Sequence, residues 1–184
     1  MSGHSHFHSI KYKKAITDAK RGKIFSKFSR QISIAAKEKG GDPDTNPGLR
    51  TAIEKAKEFN LPKDNIERAV KKGTGELAGE NLEEVLFEAY GPGGIAIIVE
   101  GITDNKKRTL NEIKQILNQH NSKLVGEGGV RWLFERKVKT PGALEWVPKQ
   151  EIEITEKDKE TAEKLFEALD ENDAVQEIYS NLKE

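Results

Sequence analysis

The sequence contains no cysteine, which excludes a disulfide framework and any metal site built from thiolates. Hydrophobic residues are scarce, at 35% of 184 residues, while 34% are charged. The longest apolar run, residues 95–99, is too short to span a bilayer, and residues 1–20 lack the apolar core of a signal peptide. We therefore expect a soluble cytoplasmic protein with an economical core and no membrane partner.

Signs of catalysis are also missing. The sequence has no G-x-S-x-G motif, and its glycine-rich segments 91–94 and 126–129 lack the spacing of a phosphate-binding loop. Carboxylates mostly have a lysine three or four residues away, as on a solvated helix face. His4, His6 and His8 could chelate a transition metal, but we interpret them as exposed imidazoles. We expect no enzymatic activity, metal, cofactor or small-molecule substrate.

What the sequence has in abundance is positive charge at one end. Residues 1–39 contain ten basic and two acidic residues, a net charge of +8, and since the whole chain is neutral the remainder carries −8. From Gly22 onward, apolar residues such as Ile24, Phe28 and Ile32 recur every three or four positions. This period predicts a helix that packs one stripe on a core and turns its cations outward.

A positive segment of this length with interleaved aromatic residues is typical of a nucleic-acid binder. Tyr12 or Phe7 would stack on bases if the partner were single-stranded or RNA. We predict that the phosphates are contacted by Lys11, Lys13, Lys14, Lys20, Arg21, Lys23, Lys27 and Arg30.

A second group of cations, Lys106, Lys107 and Arg108, lies at the start of a predicted helix. The helix macrodipole disfavours cations at this end, so an anionic partner is one interpretation of their presence. Ordinary surface lysines are the alternative.

Breaker residues and periodicity divide the chain into three parts. We predict a flexible basic arm over residues 1–21, a basic three-helix domain over 22–75, and an acidic α+β domain over 80–184. Asn46 would cap the second helix, and Gly73 would end the third. Strands are predicted at 83–90, 95–102, 130–137, within 145–155, and at 175–179, and helices at 106–119 and 156–169. This order predicts an α+β fold, ferredoxin-like, with one antiparallel sheet and both helices on one face.

Residues 18–25, DAKRGKIF, form a specific motif, and further motifs lie at 3–5, 10–11, 40–43, 46–50, 61–66, 88–94, 103–105, 132–137 and 175–181. In these stretches the sequence resembles the YebC/PmpR family, whose mitochondrial relatives are translational activators. The resemblance implies a non-enzymatic DNA-binding transcriptional regulator. An alternative from the same family is a ribosome-associated translation factor that contacts RNA and eases synthesis through proline-rich stretches.

The sequence departs from the family pattern in two places. The family usually inserts a third small domain after the strand that matches residues 132–137, whereas residues 138–147 bridge that point directly. His6-Phe7 replaces the family's Lys-Trp, and the loop at 126–129 is short. We therefore expect a short form without the third domain. Outside the family, the remaining alternative is a protein-interaction module that docks a basic partner on residues 150–184.

Overall fold

The computed structural model describes residues 18–184, which form two compact units. The helical unit runs from the first described residue to Glu84 and includes residues 138–145. The α/β unit consists of residues 85–137 and 146–184. Several predictions concern residues outside the described part of the chain. These are the phosphate contacts of Lys11, Lys13 and Lys14, the stacking of Tyr12 or Phe7 on bases, and the possible metal site of His4, His6 and His8.

The helical unit contains the three predicted helices, α1 (Asp18–Lys39), α2 (Pro47–Glu58) and α3 (Lys63–Thr74). The helix α1 already includes residues 18–21, ahead of the predicted start at Gly22. Each helix contributes one apolar stripe to a shared core, because none has enough apolar surface to be stable alone. The Phe28 ring packs on Phe59 with centroids 5.1 Å apart. Other buried residues of this core are Ile24, Ile32, Leu49, Ala56, Leu61, Ile66 and Ala69.

Asn46 caps α2, as predicted, and also ties the end of α1 to it. Its Oδ1 accepts a hydrogen bond from the Leu49 backbone N–H at 3.1 Å. Its Nδ2 donates to the carbonyl oxygens of Ala35 at 2.8 Å and Gly40 at 2.9 Å. All three polar positions of this buried amide are therefore satisfied, which sets the path of the loop between the two helices.

Gly73 does not end α3, contrary to the prediction. The helix continues to Thr74 and ends at Gly75, whose φ of 83° is left-handed. A Cβ placed on Gly73 would lie 2.2 Å from the Ser33 carbonyl oxygen, and the Ser33 hydroxyl donates to the Ala69 carbonyl at 2.8 Å. Gly73 is therefore needed for the close approach of α1 and α3.

The α/β unit is built on a four-stranded antiparallel sheet. The strands are β1 (Glu83–Tyr90), β2 (Ala96–Thr103), β3 (Lys123–Val125) and β6 (Val175–Ser180), in the order β3-β1-β2-β6. The helices are α4 (Lys106–Gln119) and α5 (Glu156–Asp170). The chain passes from β2 through α4 to β3, which lies beyond β1, and this split β-α-β unit is the ferredoxin-like element of the fold.

The two faces of the sheet pack against different partners, because side chains alternate along each strand. Ile97 and Val99 point into a core with α4 and α5, to which Ile113, Leu117, Leu165, Phe166 and Leu169 contribute. The prediction that both helices cover one face is confirmed. On the other face Ala96, Ile98 and Tyr179 pack against Val130, Phe134 and Trp146.

The prediction of one sheet was wrong for residues 130–137. Arg131–Leu133 form a 3₁₀ turn, and β4 (Phe134–Thr140) pairs with β5 (Ala143–Pro148) in a separate two-stranded sheet. The fourth place in the main sheet belongs to β3, which the sequence did not reveal because it has only three residues and no alternation. An extended pattern identifies a strand but not its pairing partner.

Candidate nucleic-acid interface

A groove of about 950 Å³ lies in the helical unit between α1, α3 and the segment that follows α3. Its lining is cationic, with four basic side chains and a single carboxylate, Glu80. Polar groups that can donate to an anion line it as well, notably Ser26, Ser29, Asn65 and Asn81. The four basic residues are Arg30, Lys37, Arg68 and Lys72.

Helical spacing brings these cations together. An α-helix turns by about 100° per residue, so residues three, four or seven apart share a face. On α3, Asn65, Arg68 and Lys72 follow this spacing. On α1 the same rule aligns Lys20, Lys23, Lys27, Arg30 and Lys37. One cationic stripe of α1 therefore leads into the groove, and α3 supplies the opposite wall.

The cations of the α1 wall have partners within the unit. The Arg30 guanidinium lies 3.8 Å from a carboxylate oxygen of Glu80, and its side chain is 17% exposed. The Lys37 ammonium donates to Asn81 Oδ1 at 3.0 Å and to the Leu82 carbonyl at 2.9 Å. These contacts hold the segment after α3 against the groove.

The cations of the α3 wall are differently placed. Arg68 and Lys72 are exposed, and within residues 18–184 neither side chain has an ion-pair or hydrogen-bond partner. The aliphatic stem of Lys72 passes close to Gly79, where an added Cβ would lie 3.3 Å from it. The stem is thus supported while the ammonium remains in solvent. An anion entering the groove would meet two cations that no carboxylate among residues 18–184 neutralises.

The structure separates the predicted phosphate-binding residues. Lys20 and Arg21 are exposed and Lys23 is half-buried. Arg21 directly follows Lys20, so it lies about 100° around the helix from the stripe. Lys27 is only 6% exposed, which corrects the expectation that it faces outward. The sequence missed Lys37, Arg68 and Lys72 as site residues, although the spacing of the last two was visible.

The second group of cations belongs to the α/β unit. Asn105 caps α4 by accepting a bond from the Arg108 N–H at 3.0 Å. The Arg108 guanidinium lies 2.6 Å from Asp104 and 3.6 Å from Glu112. Asp104 supplies the negative charge that the helix N-terminus favours, so Arg108 needs no external anion to explain its position. Lys106 and Lys107 are exposed at the same end.

A buried carboxylate in the α/β unit was not predicted from the sequence. Glu88 of β1 is 2% exposed, and its oxygens accept hydrogen bonds from the backbone N–H groups of Gly128, Val130 and Arg131 at 2.8–2.9 Å. The Arg131 guanidinium lies 2.9 Å away. Burial raises the pKa of Glu88, but the three backbone donors and Arg131 outweigh it, so the pKa lies below its ordinary value.

The glycine-rich loop at 126–129 and the two residues after it therefore bind a carboxylate of the protein itself. The negative charge of Glu88 is compensated by Arg131 and these backbone N–H groups. The role of Glu88 is therefore structural. The sequence signal that could have identified Glu88 was a charged residue inside a predicted strand, next to the apolar Ala89.

The described residues provide neither a metal site nor a membrane-spanning helix. In this part of the chain, no group of three or more His, Asp or Glu side chains is arranged to hold a metal ion. No helix within residues 18–184 combines the length and hydrophobicity that crossing a bilayer requires.

Comparison with protein families matches both parts of the chain. Residues 5–76 match the TACO1/YebC protein N-terminal domain. Residues 82–140 and 139–182 match the TACO1/YebC second and third domain. The two matched segments meet at residues 139–140, at the end of β4 and just before the turn that leads to β5.

Individual relatives match along most of the chain. Two are named probable transcriptional regulatory proteins, one from Fervidobacterium nodosum (39% identical, covering 98% of this chain and 93% of the relative) and one from Thermoanaerobacter pseudethanolicus (41%, covering 100% and 97%). Both alignments extend over 239 positions, more than the 184 residues of this chain. These relatives therefore contain residues that this chain lacks.

A crystal structure gives the same result for the fold. It is described as that of a conserved hypothetical protein from Aquifex aeolicus and superimposes with a TM-score of 0.86 at 36% identity, covering 95% of each chain. The family matches, the relatives and this structure agree over both units: the chain belongs to the TACO1/YebC family.

Proposed function

We propose that the protein is a non-enzymatic regulator of gene expression that binds nucleic acid through the cationic groove of its helical unit. The observation that carries the proposal is the pair Arg68 and Lys72, exposed and without a partner in the described chain, on the wall facing Arg30 and Lys37. The names of the relatives support a transcriptional role.

Electrostatics favours a polyanion at this groove. The chain as a whole is neutral, so attraction depends on the local concentration of charge. Four cations share the groove with one carboxylate, and the screening length of about 8 Å at physiological salt lets neighbouring charges in it act on one phosphate together. Each phosphate neutralised releases condensed counterions, which makes binding stronger and dependent on salt.

The neutral polar groups of the groove suit the same ligand. Serine hydroxyls and asparagine amides commonly contact phosphate and sugar oxygens, and these contacts carry no sequence information. The described lining of the groove contains no histidine and one carboxylate, Glu80, which lies 3.8 Å from the Arg30 guanidinium. We expect binding with weak sequence preference and no chemical turnover.

DNA and ribosomal RNA present the same phosphates, so the groove suits both. The names of the relatives favour a role in transcription, and for that role we propose DNA as the partner, in the cytoplasm. Ribosome-associated translation is the second candidate. Co-sedimentation with ribosomes at moderate salt separates the two, because a translation factor travels with ribosomes and a promoter binder does not.

Both candidate functions require the groove to bind nucleic acid, and a direct binding assay tests this requirement. Full-length protein is titrated against fluorescent duplex DNA and against ribosomal RNA at several salt concentrations. The double variant Arg68→Ala, Lys72→Ala should bind at least one of these ligands much more weakly and with a smaller salt slope. Unchanged binding of both ligands would overturn the proposed groove.

A further inference from the structure

Tyr90 and Trp132 form an exposed aromatic pair in the α/β unit. Trp132 is 63% exposed and Tyr90 38%. The indole N–H donates to the Gly129 carbonyl oxygen at 3.1 Å, and the tyrosine hydroxyl donates to the same oxygen at 3.4 Å. The shared acceptor places the two side chains next to each other. Because their polar tips are satisfied, what they present to solvent is mainly ring surface.

The carbonyl oxygen that the two side chains share belongs to a segment that hydrogen bonds hold against β1. Glu88 accepts bonds from the N–H groups of Gly128, Val130 and Arg131, on either side of Gly129. The acceptor that positions both rings is therefore fixed by a buried carboxylate. Aromatic side chains that are ordered before binding lose little entropy when a ligand packs on them.

The surroundings of the pair carry positive charge. The Lys149 ammonium donates to the Trp132 carbonyl at 2.8 Å, and Lys123 lies opposite Tyr90 in the pairing of β1 with β3. Both lysines are exposed. The exposed carboxylate of this loop, Glu127, lies 3.4 Å from Arg131. Apolar rings flanked by cations suit a ligand that has both aromatic faces and negative charge.

We propose that Trp132 and Tyr90 stack on unpaired bases of single-stranded nucleic acid, with Lys149 and Lys123 close to its phosphates. Stacking on aromatic side chains combined with cations along the backbone is how single strands are generally bound. Bases inside a duplex do not expose their faces, so this surface discriminates single strands from duplexes. The proposal rests on the proposed function, and it adds base contacts in the α/β unit to the phosphate contacts of the groove.

Intrinsic fluorescence tests the proposal on the full-length protein. The chain has two tryptophans, and the other, Trp146, is only 9% exposed, so a stacking ligand acts mainly on Trp132. Titration with a short oligouridine should quench the emission, and the same length of duplex RNA should quench it far less. Trp132→Ala and Tyr90→Ala should each weaken oligouridine binding by about tenfold, while Trp132→Phe, which keeps a ring, should retain most of the affinity.

Leu110→Ala is the matched control, because Leu110 is a large apolar residue of the same unit that is 39% exposed. It should leave oligouridine binding unchanged. If oligouridine does not quench the emission of the unaltered protein, the proposal is wrong. This result does not depend on whether an alanine variant folds. Equal affinity of Trp132→Ala and the unaltered protein overturns the proposal too and points to a protein partner for the aromatic pair. Variants of the groove should weaken binding of both single strands and duplexes, whereas variants of the aromatic pair should weaken binding of single strands alone. The two proposals can therefore fail independently.

Discussion

Glu88 and Arg131 are joined twice, once through their side chains and once through the backbone. The guanidinium lies 2.9 Å from Oε1 of the carboxylate, and the Arg131 N–H donates to Oε2 at 2.8 Å. The two residues are 43 positions apart in sequence. Their contact attaches the glycine-rich loop to β1 and thereby sets the positions of Trp132 and Gly129.

Replacing Glu88 should strongly destabilise the protein. Glu88→Ala leaves three backbone N–H groups and a guanidinium without their acceptor, and breaking a buried ion pair costs about 3–5 kcal/mol. Denaturant unfolding measures this loss. Glu127→Gln is the control, because it removes an exposed partner of the same arginine and should cost less than about 1 kcal/mol. Equal losses in the two variants would contradict a special role for Glu88.

The lowered pKa of Glu88 predicts a loss of stability in acid. A carboxyl group whose folded pKa lies below its ordinary value of 4.5 stabilises the fold fully above that value, and the stabilisation disappears as the pH falls through the folded pKa. The free energy of unfolding should therefore fall more steeply in the unaltered protein than in Glu88→Gln on going from neutral pH to about pH 3. Parallel pH profiles would show that Glu88 does not contribute.

Lys72 and Lys71 provide a matched test of the groove. Both are exposed lysines in the last turn of α3, but only Lys72 lines the groove. Lys72→Ala should weaken nucleic-acid binding and reduce the slope of log affinity against log salt by about 0.7–0.9 for each phosphate that the variant no longer neutralises. Lys71→Ala removes the same charge and should have a much smaller effect. Similar effects in both would indicate general attraction without a defined site.

Two glycines of the helical unit should respond to alanine with opposite signs. Gly73→Ala places a methyl group 2.2 Å from the Ser33 carbonyl oxygen, so the helices must separate, at a cost of roughly 1–3 kcal/mol or more. Gly22 of α1 has no atom within 4 Å of an added Cβ. Gly22→Ala should therefore stabilise the protein by about 0.5–1 kcal/mol. Thermal unfolding of the two variants measures both shifts.

Local signals predicted the helices well. The helix at 106–119 has the predicted bounds, and Asn46 caps the second helix as predicted. Helix formation and capping depend on residues within a few positions of each other, which a sequence displays directly. The same is true of the cationic stripe on α1.

The pairing of strands and the composition of the site were less predictable. Residues 130–137 have a strand pattern but do not join the main sheet, and β3 takes that place. Arg68 and Lys72 become part of a candidate site only because Gly73 lets α3 approach α1. In each case the deciding contact joins residues that are far apart in the chain.

The sequence by itself determined which segments are helical, which of their faces are apolar, and that positive charge is concentrated at the front of the chain. These properties follow from the order and spacing of residues along the chain. Only the tertiary structure decided that Lys27 is buried, that Glu88 holds a loop, and that Arg68 and Lys72 face Arg30 and Lys37. The physical reason is that burial and charge proximity are set by packing between elements, and many packings are compatible with one pattern of local preferences.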